Sequence, residues 1–162
     1  MQGSFRQRTM SEAPSIIGID PGTSCGWAVF DRTWESGVWD LKVPKHEVDG
    51  YRYATLRKYL RALILTRHPD VLYYEEVRRH LGTDASHVYG GIMGIIKSEC
   101  FVMGLDCRGV NVGTVKKVAT GKGNANKEAM IAAAKKRWPD FDGGDDEADA
   151  RWIAEVGLRE AE

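Results

Sequence analysis

The chain has 162 residues, the size of one ordinary domain with room for a single sizeable core. Its composition, 43% hydrophobic and 28% charged, is that of a globular protein, and no apolar run approaches the ~18 residues that suggest a membrane span. A formal net charge of zero excludes a uniformly basic binder of nucleic acid but hides a segregation of charge. Over 112–137 seven basic residues stand against one acid, Glu128, and over 138–162 nine acids stand against two arginines. Positive surface for a phosphate backbone can therefore coexist with a concentrated acidic site; solvated helix faces that merely segregate by sign are the plainer alternative.

Residues 1–14 begin Met1-Gln2-Gly3-Ser4-Phe5-Arg6-Gln7-Arg8 and read as a flexible polar arm without the apolar stretch of a secretory signal. One domain is expected over 15–162. Ser15-Ile16-Ile17-Gly18-Ile19-Asp20 predicts a short buried strand running into the turn Pro21-Gly22-Thr23. Gly26-Trp27-Ala28-Val29-Phe30 predicts a second strand and 35–43 a third, and turns this short imply an antiparallel meander. Tyr53, Leu56, Leu60, Leu63 and Arg67 recur with a period of about 3.6 residues, a helix that His68-Pro69 ends. Val71-Leu72-Tyr73-Tyr74 is the next strand, and its apolar character after a helix points to a parallel crossover.

A second helix is expected over 84–103, with Val88, Ile92, Ile95 and Ile96 on one side. Gly90, Gly94 and Ser98 form a stripe of small residues along it, which either admits another helix at close range or packs on this chain's own sheet. A short strand over 107–112 and helices over 114–119, 127–137 and 145–161 complete the chain. Three meandering strands, then α-β-α-β, then helices, is the RNase H-like order: an α/β fold with a five-stranded mixed sheet flanked by helices. The three cysteines, Cys25, Cys100 and Cys107, form no CxxC pair and suit a reduced compartment as small core residues. The expected location is the cytoplasm, a host's cytoplasm if the gene is phage-borne.

The chemistry-bearing residues are carboxylates. Asp20 ends a buried strand, which fixes a side chain while leaving its tip open to solvent; the same residue also suits a turn cap before Pro21-Gly22. Glu75 and Glu76 follow the apolar strand and, because side chains alternate, only one of them can face a common site. Asp146 and Asp149 lie three apart at a helix start and share a face, within a run that also holds Asp142, Asp145 and Glu147. Helix capping explains one or two such acids, less well five. Oxygen donors without a His or Cys set favour Mg²⁺ or Mn²⁺ over zinc. Acids from two strands and a late helix can converge on a pair of divalent ions, the arrangement that suits phosphodiester hydrolysis.

The motifs carry a resemblance. Ile17-Gly18-Ile19-Asp20-Pro21-Gly22-Thr23 followed by Gly26-Trp27-Ala28-Val29 looks like the opening motif of the RuvC-type Holliday-junction resolvases. Tyr74-Glu75-Glu76-Val77 is similar to that family's second acidic motif. Val115-Lys116-Lys117 and Thr120-Gly121-Lys122-Gly123-Asn124-Ala125-Asn126-Lys127-Glu128 resemble its lysine-and-glycine segment, and Asp146-Glu147-Ala148-Asp149-Ala150 matches its closing DxxDA motif. Each motif alone is weak; the four occur in family order across most of the chain.

The resemblance implies a metal-dependent endonuclease that cuts four-way DNA junctions in recombination and repair. Asp20, Glu75, Asp146 and Asp149 would be the ligands of two Mg²⁺ ions, with Mn²⁺ able to substitute. Lys116 and Lys127 would lie near the scissile phosphate, Lys127 with a catalytic part, and Lys117 and Lys122 would add to the DNA surface. The family carries an aromatic residue soon after the second acidic motif; Arg78-Arg79-His80 stands there instead, which suggests that Arg78 and Arg79 contact phosphate. The departure leaves open a broader branched-DNA or flap specificity. The Gly90/Gly94/Ser98 helix corresponds to the family's dimer-forming helix, so a homodimer is expected, and no membrane partner. The Gly18-Ile19-Asp20-Pro21-Gly22-Thr23 opening also looks like the phosphate loop of sugar kinases and other ASKHA-like ATPases. Those proteins normally need two such domains and do not need the Asp146/Asp149 pair.

Overall fold

The structure, a computed structural model, describes residues 13–77 and 82–162. In chain order the elements are β1 (Ile16–Asp20), β2 (Ser24–Asp31), β3 (Thr33–Asp40), α1 (Gly50–Arg67), β4 (Val71–Glu76), α2 (Thr83–Val102), β5 (Asp106–Asn111), α3 (Val112–Thr120), α4 (Lys127–Arg137) and α5 (Asp145–Glu160). They build a five-stranded sheet in the order β3-β2-β1-β4-β5. The first three strands pair antiparallel, and β1–β4 and β4–β5 pair parallel. The meander and the parallel crossover read from the sequence are both present.

Two boundaries differ for identifiable reasons. The third strand ends at Asp40 rather than 43, because Leu41 turns inward, wholly buried, and its N–H bonds the Thr23 carbonyl at 2.7 Å. The fifth strand stops at Asn111, whose side chain accepts the Gly113 N–H at 2.8 Å and caps α3 directly.

The pleat sorts residues onto two cores. Ile17, Ile19, Leu72 and Tyr74 pack beneath α1 and α2 with Leu56, Leu60, Ile92 and Ile96. Ile16, Val71 and Tyr73 face the other way, toward Met130, Trp138, Trp152 and Ile153 of the C-terminal helices. Fully burying a side chain such as Ile17 or Ile19 contributes roughly 1.5–3 kcal/mol. Since Asp20 and Glu75 continue the alternation of Ile16 and Val71, both carboxylates point to the α5 side. Cys25 and Cys100 are buried and Cys107 half-buried, all as free thiols, as small core residues would be.

Helix α5 lies unusually close to the sheet. A side chain at Gly18 would collide with the Ala150 carbonyl and the Ala154 amide, and one at Gly26 with the Asp146 carbonyl. These two glycines form the flat spot on which the first turns of α5 rest. On the opposite face, α2 is tied to α1 by Glu99, only 2% exposed, which accepts from Arg61 Nε and Nη2 at 2.9 Å each and faces Arg57 Nε at 3.0 Å. The glycine that α2 uses to approach α1 is Gly91, against Tyr53; Gly90 and Gly94 look onto open space. The small-residue stripe therefore does not pack on the chain's own sheet. At the end of the same helix Phe101 and Val102 are 87% and 67% exposed.

Candidate active site

The two central strands β1 and β4 run parallel and carry an acid each at their C-terminal ends. Ile19 sits beside Tyr74, so Asp20 and Glu75 emerge as neighbours on the α5 side. Their carboxyl groups share a hydrogen bond in which Glu75 accepts. Burial holds Asp20 well above the usual carboxylate range, and the charges of Glu75, Asp149, Asp146 and Asp145 push the same way. Glu75 is raised first by burial, with Lys116 and the Asp20 bond pulling it back. The hydroxyl of Tyr89 on α2 accepts the Val77 N–H at 3.1 Å and donates to the Glu75 carbonyl at 3.3 Å, which pins the end of β4.

Glu76 takes the other face. Its carboxylate covers Gly109 of β5, where a side chain on the glycine would strike it. Only Glu75 joins the cluster, as the strand pleat requires.

Helix α5 brings the remaining acids. Asp149 is pushed up to about 7, first by burial and then by Glu75, Asp145 and Asp146, with Lys116 opposing. Asp146 accepts a hydrogen bond of 2.6 Å from Ser24 Oγ on β2. Asp145 turns away to Lys127 Nζ at 2.8 Å, and that bond holds its carboxyl below the ordinary value and raises the Lys127 ammonium. Glu147 is drawn off to Ser36 of β3 at 2.6 Å. The four acids Asp145, Asp146, Glu147 and Asp149 thus meet different partners, and of these Asp145 also accepts backbone amides at the helix start, as a capping acid would.

Asp20, Glu75, Asp146 and Asp149 accordingly form one electrostatic cluster, with Lys116 of α3 close enough to act on two of them. Lys127 touches its edge through Asp145, while Lys117 and Lys122 stand exposed on α3 and in the connection that follows it. Arg78 and Arg79 lie outside the described residues. Among the described residues no three His, Cys, Asp or Glu side chains are arranged to hold a metal ion as they lie. The donors are four oxygen acids that repel one another, with Asp146 also engaged by Ser24. Such a set fits hard divalent cations in chemistry, and a cation would remove the repulsion that raises Asp20 and Asp149.

Sequence reasoning missed Ser24, Ser36 and the packing role of Gly18 and Gly26. The signal was present for two of them. Once Asp20 is paired with Gly26, period two puts Ser24 and Gly26 on the Asp20 face. What was missing was the register.

No family profile matches the sequence. Individual relatives do. The chain is 32% identical over 148 residues to the crossover junction endodeoxyribonuclease RuvC of Rickettsia akari (strain Hartford), covering 86% of this chain and 93% of the relative. Its counterpart from Rickettsia massiliae (strain Mtu5) matches with the same identity and coverage. Among solved structures, Thermus thermophilus RuvC in complex with a Holliday junction substrate superposes with a TM-score of 0.76 over 91% of this chain and 93% of that one, at 20% identity. The yeast mitochondrial Holliday junction resolvase Ydc2 shares the fold more loosely, with a TM-score of 0.57 at 14% identity over 93% and 80% of the two chains. The five-stranded mixed sheet, the element order and these relatives agree: the chain belongs to the RuvC family of crossover junction endodeoxyribonucleases.

Proposed function

We propose that this protein hydrolyses phosphodiester bonds at four-way DNA junctions, holding two divalent cations, Mg²⁺ or Mn²⁺, at Asp20, Glu75, Asp146 and Asp149. The observation that carries the reading is the meeting of four carboxylates from β1, β4 and α5 on one face of the sheet, in a member of a junction-cutting family. Bound cations of this kind supply charge neutralisation and an activated water for phosphodiester hydrolysis. The protein's own contribution is positional: strand ends fix Asp20 and Glu75, and a helix resting on Gly18 and Gly26 fixes Asp146 and Asp149.

Lys116 offsets part of the negative charge and is suited to meet a phosphate entering the cluster. Lys127, well exposed, can exchange Asp145 for a phosphate oxygen beside the scissile bond. Lys117 and Lys122, with Arg78 and Arg79, extend the contact to flanking backbone. Two copies joined through α2 would present two such sites to a two-fold substrate; support comes from the open Gly90/Gly94 face and the exposed Phe101 and Val102 that continue it.

The test is incubation with labelled four-way, three-way, flap and linear DNA, with and without Mg²⁺. Paired, symmetric nicks confined to the four-way junction and dependent on the cation are the expected result. Cutting of flaps or forks at equal rate would replace it with a broader branched-DNA specificity, and cation-independent cutting would overturn the metal assignment.

A further inference from the structure

The first turn of α5 is held to the sheet by two serine hydroxyls of different reach. Ser24 Oγ donates to Asp146 Oδ2 at 2.6 Å. Ser36 Oγ donates to Glu147 Oε1 at 2.6 Å and accepts from Arg151 Nε at 2.6 Å. Arg151 is itself fixed among the rings of Trp34, Trp138 and Phe141, at 5.8, 5.5 and 5.1 Å. The Ser36 arm therefore anchors the helix through a residue outside the acidic cluster. The Ser24 arm ends on a member of the cluster itself.

We infer that Ser24 is a positioning residue for Asp146, fixing the orientation of its carboxylate for cation binding, whereas Ser36 only fastens the helix. The inference rests on the metal-dependent reading above. Three features set Ser24 apart. It lies on the same strand face as Gly26, whose missing side chain lets the Asp146 backbone reach the sheet, so donor and acceptor are brought together by backbone packing and not by a mobile surface contact. It satisfies one carboxylate oxygen, leaving the other as the ligand atom and restricting rotation about the carboxylate bond. Among the described residues no ammonium or guanidinium is bonded to Asp146: Lys127 is bonded to Asp145, and Lys116 acts on Glu75 and Asp149. Partners of this kind that orient a ligating carboxylate typically alter metal affinity by about 10–100-fold when removed.

The experiment is a Mg²⁺ titration of the melting temperature of the full chain without DNA, for wild type, Ser24→Ala, Ser24→Thr and Ser36→Ala, paired with single-turnover cleavage at each Mg²⁺ concentration. Ser24→Ala should require roughly 10-fold more Mg²⁺ for half of the thermal rise, and its cleavage should recover toward wild type as Mg²⁺ increases. Ser24→Thr keeps the hydroxyl on a residue that strands favour and should restore the midpoint. Ser36→Ala should lower the melting temperature at all Mg²⁺ concentrations with the midpoint unmoved. A wild-type midpoint in Ser24→Ala, or an equal displacement in Ser36→Ala, overturns the assignment, since the second outcome means general loosening of α5. Should Ser24→Ala fail to fold, Ser24→Cys keeps the size while weakening the donor and serves the same comparison. A wild-type protein whose melting responds to neither Mg²⁺ nor Mn²⁺ refutes the metal-dependent reading itself, a result separate from the Ser24 comparison, and takes this inference with it.

Discussion

Replacing Asp149 by asparagine should make the chelator-treated protein more stable while abolishing its cleavage. In the folded chain, burial together with Glu75, Asp145 and Asp146 moves this carboxyl from an ordinary 3.8 to about 7. Keeping it ionised at pH 8 therefore opposes folding by about 4 kcal/mol, at 1.36 kcal/mol for each tenfold step in acidity. Asparagine stays polar in a half-buried place, so about half of that, ~2 kcal/mol, should be recovered. For a chain of this length about 2 kcal/mol corresponds to a rise of roughly 4–8 °C in melting temperature.

The pH dependence gives the sign. A carboxyl raised on folding imposes no penalty below its unfolded value, and stability is lost as pH climbs through the folded value. The advantage of Asp149→Asn over wild type should thus be full at pH 8, vanish near pH 5 and reverse below pH 4, where the wild-type carboxyl is neutral in both states and only the cost of the amide is left. Thermal melts in chelator at these three pH values test it, with junction nicking in Mg²⁺ measured alongside. A variant less stable than wild type at pH 8, or one whose gain is flat with pH, refutes the argument that mutual repulsion and burial strain this cluster.

Asp20→Asn, Glu75→Gln and Asp146→Asn should each remove most nicking while leaving junction binding, read by gel shift, largely intact, because amides are far poorer ligands for hard cations. Glu76→Gln, whose parent side chain lies over Gly109 on the opposite face, should stay near wild type; essential Glu76 with dispensable Glu75 would contradict the observed pleat. Alanine at Lys116, Lys127, Lys117 or Lys122 should weaken junction binding and flatten its dependence on salt, and Lys127→Ala should also slow cleavage in the bound complex. Unchanged salt slopes in all four would defeat the phosphate assignment. Gly94→Leu adds bulk where α2 faces open space, so the variant should remain folded and sediment as a monomer; a fully paired dimer would put the interface elsewhere. Arg57→Ala with Arg61→Ala strands the buried Glu99 and should lower the midpoint of urea denaturation at neutral pH, an effect relieved by adding Glu99→Gln.

Local chemistry sufficed for much of this. The continuous apolar run into Asp20, the apolar Val71-Leu72-Tyr73-Tyr74 ahead of Glu75, and the recurrence of Leu56, Leu60 and Leu63 are each written within a few residues, and hydrophobic burial turns such patterns directly into strands and helices. Strand alternation established that only one of Glu75 and Glu76 could join the site, and the resemblance to the family's second acidic motif pointed to Glu75. Long-range register was another matter. That Ser24 faces Asp146 across 122 residues, or that Gly18 and Gly26 admit α5 against the sheet, depends on which strands pair and at what offset, and those contacts leave no local period to read. The division of labour among Asp145, Asp146, Glu147 and Asp149 was equally hidden: four neighbouring acids look alike in sequence, and only the packed helix hands one to Lys127, one to Ser36 and two to Asp20 and Glu75. The open face of α2 is the same kind of fact. A stripe of small residues permits close packing on either side of the chain's own surface, and only the observation that Gly91, not Gly90 or Gly94, meets α1 decided which side remained uncovered.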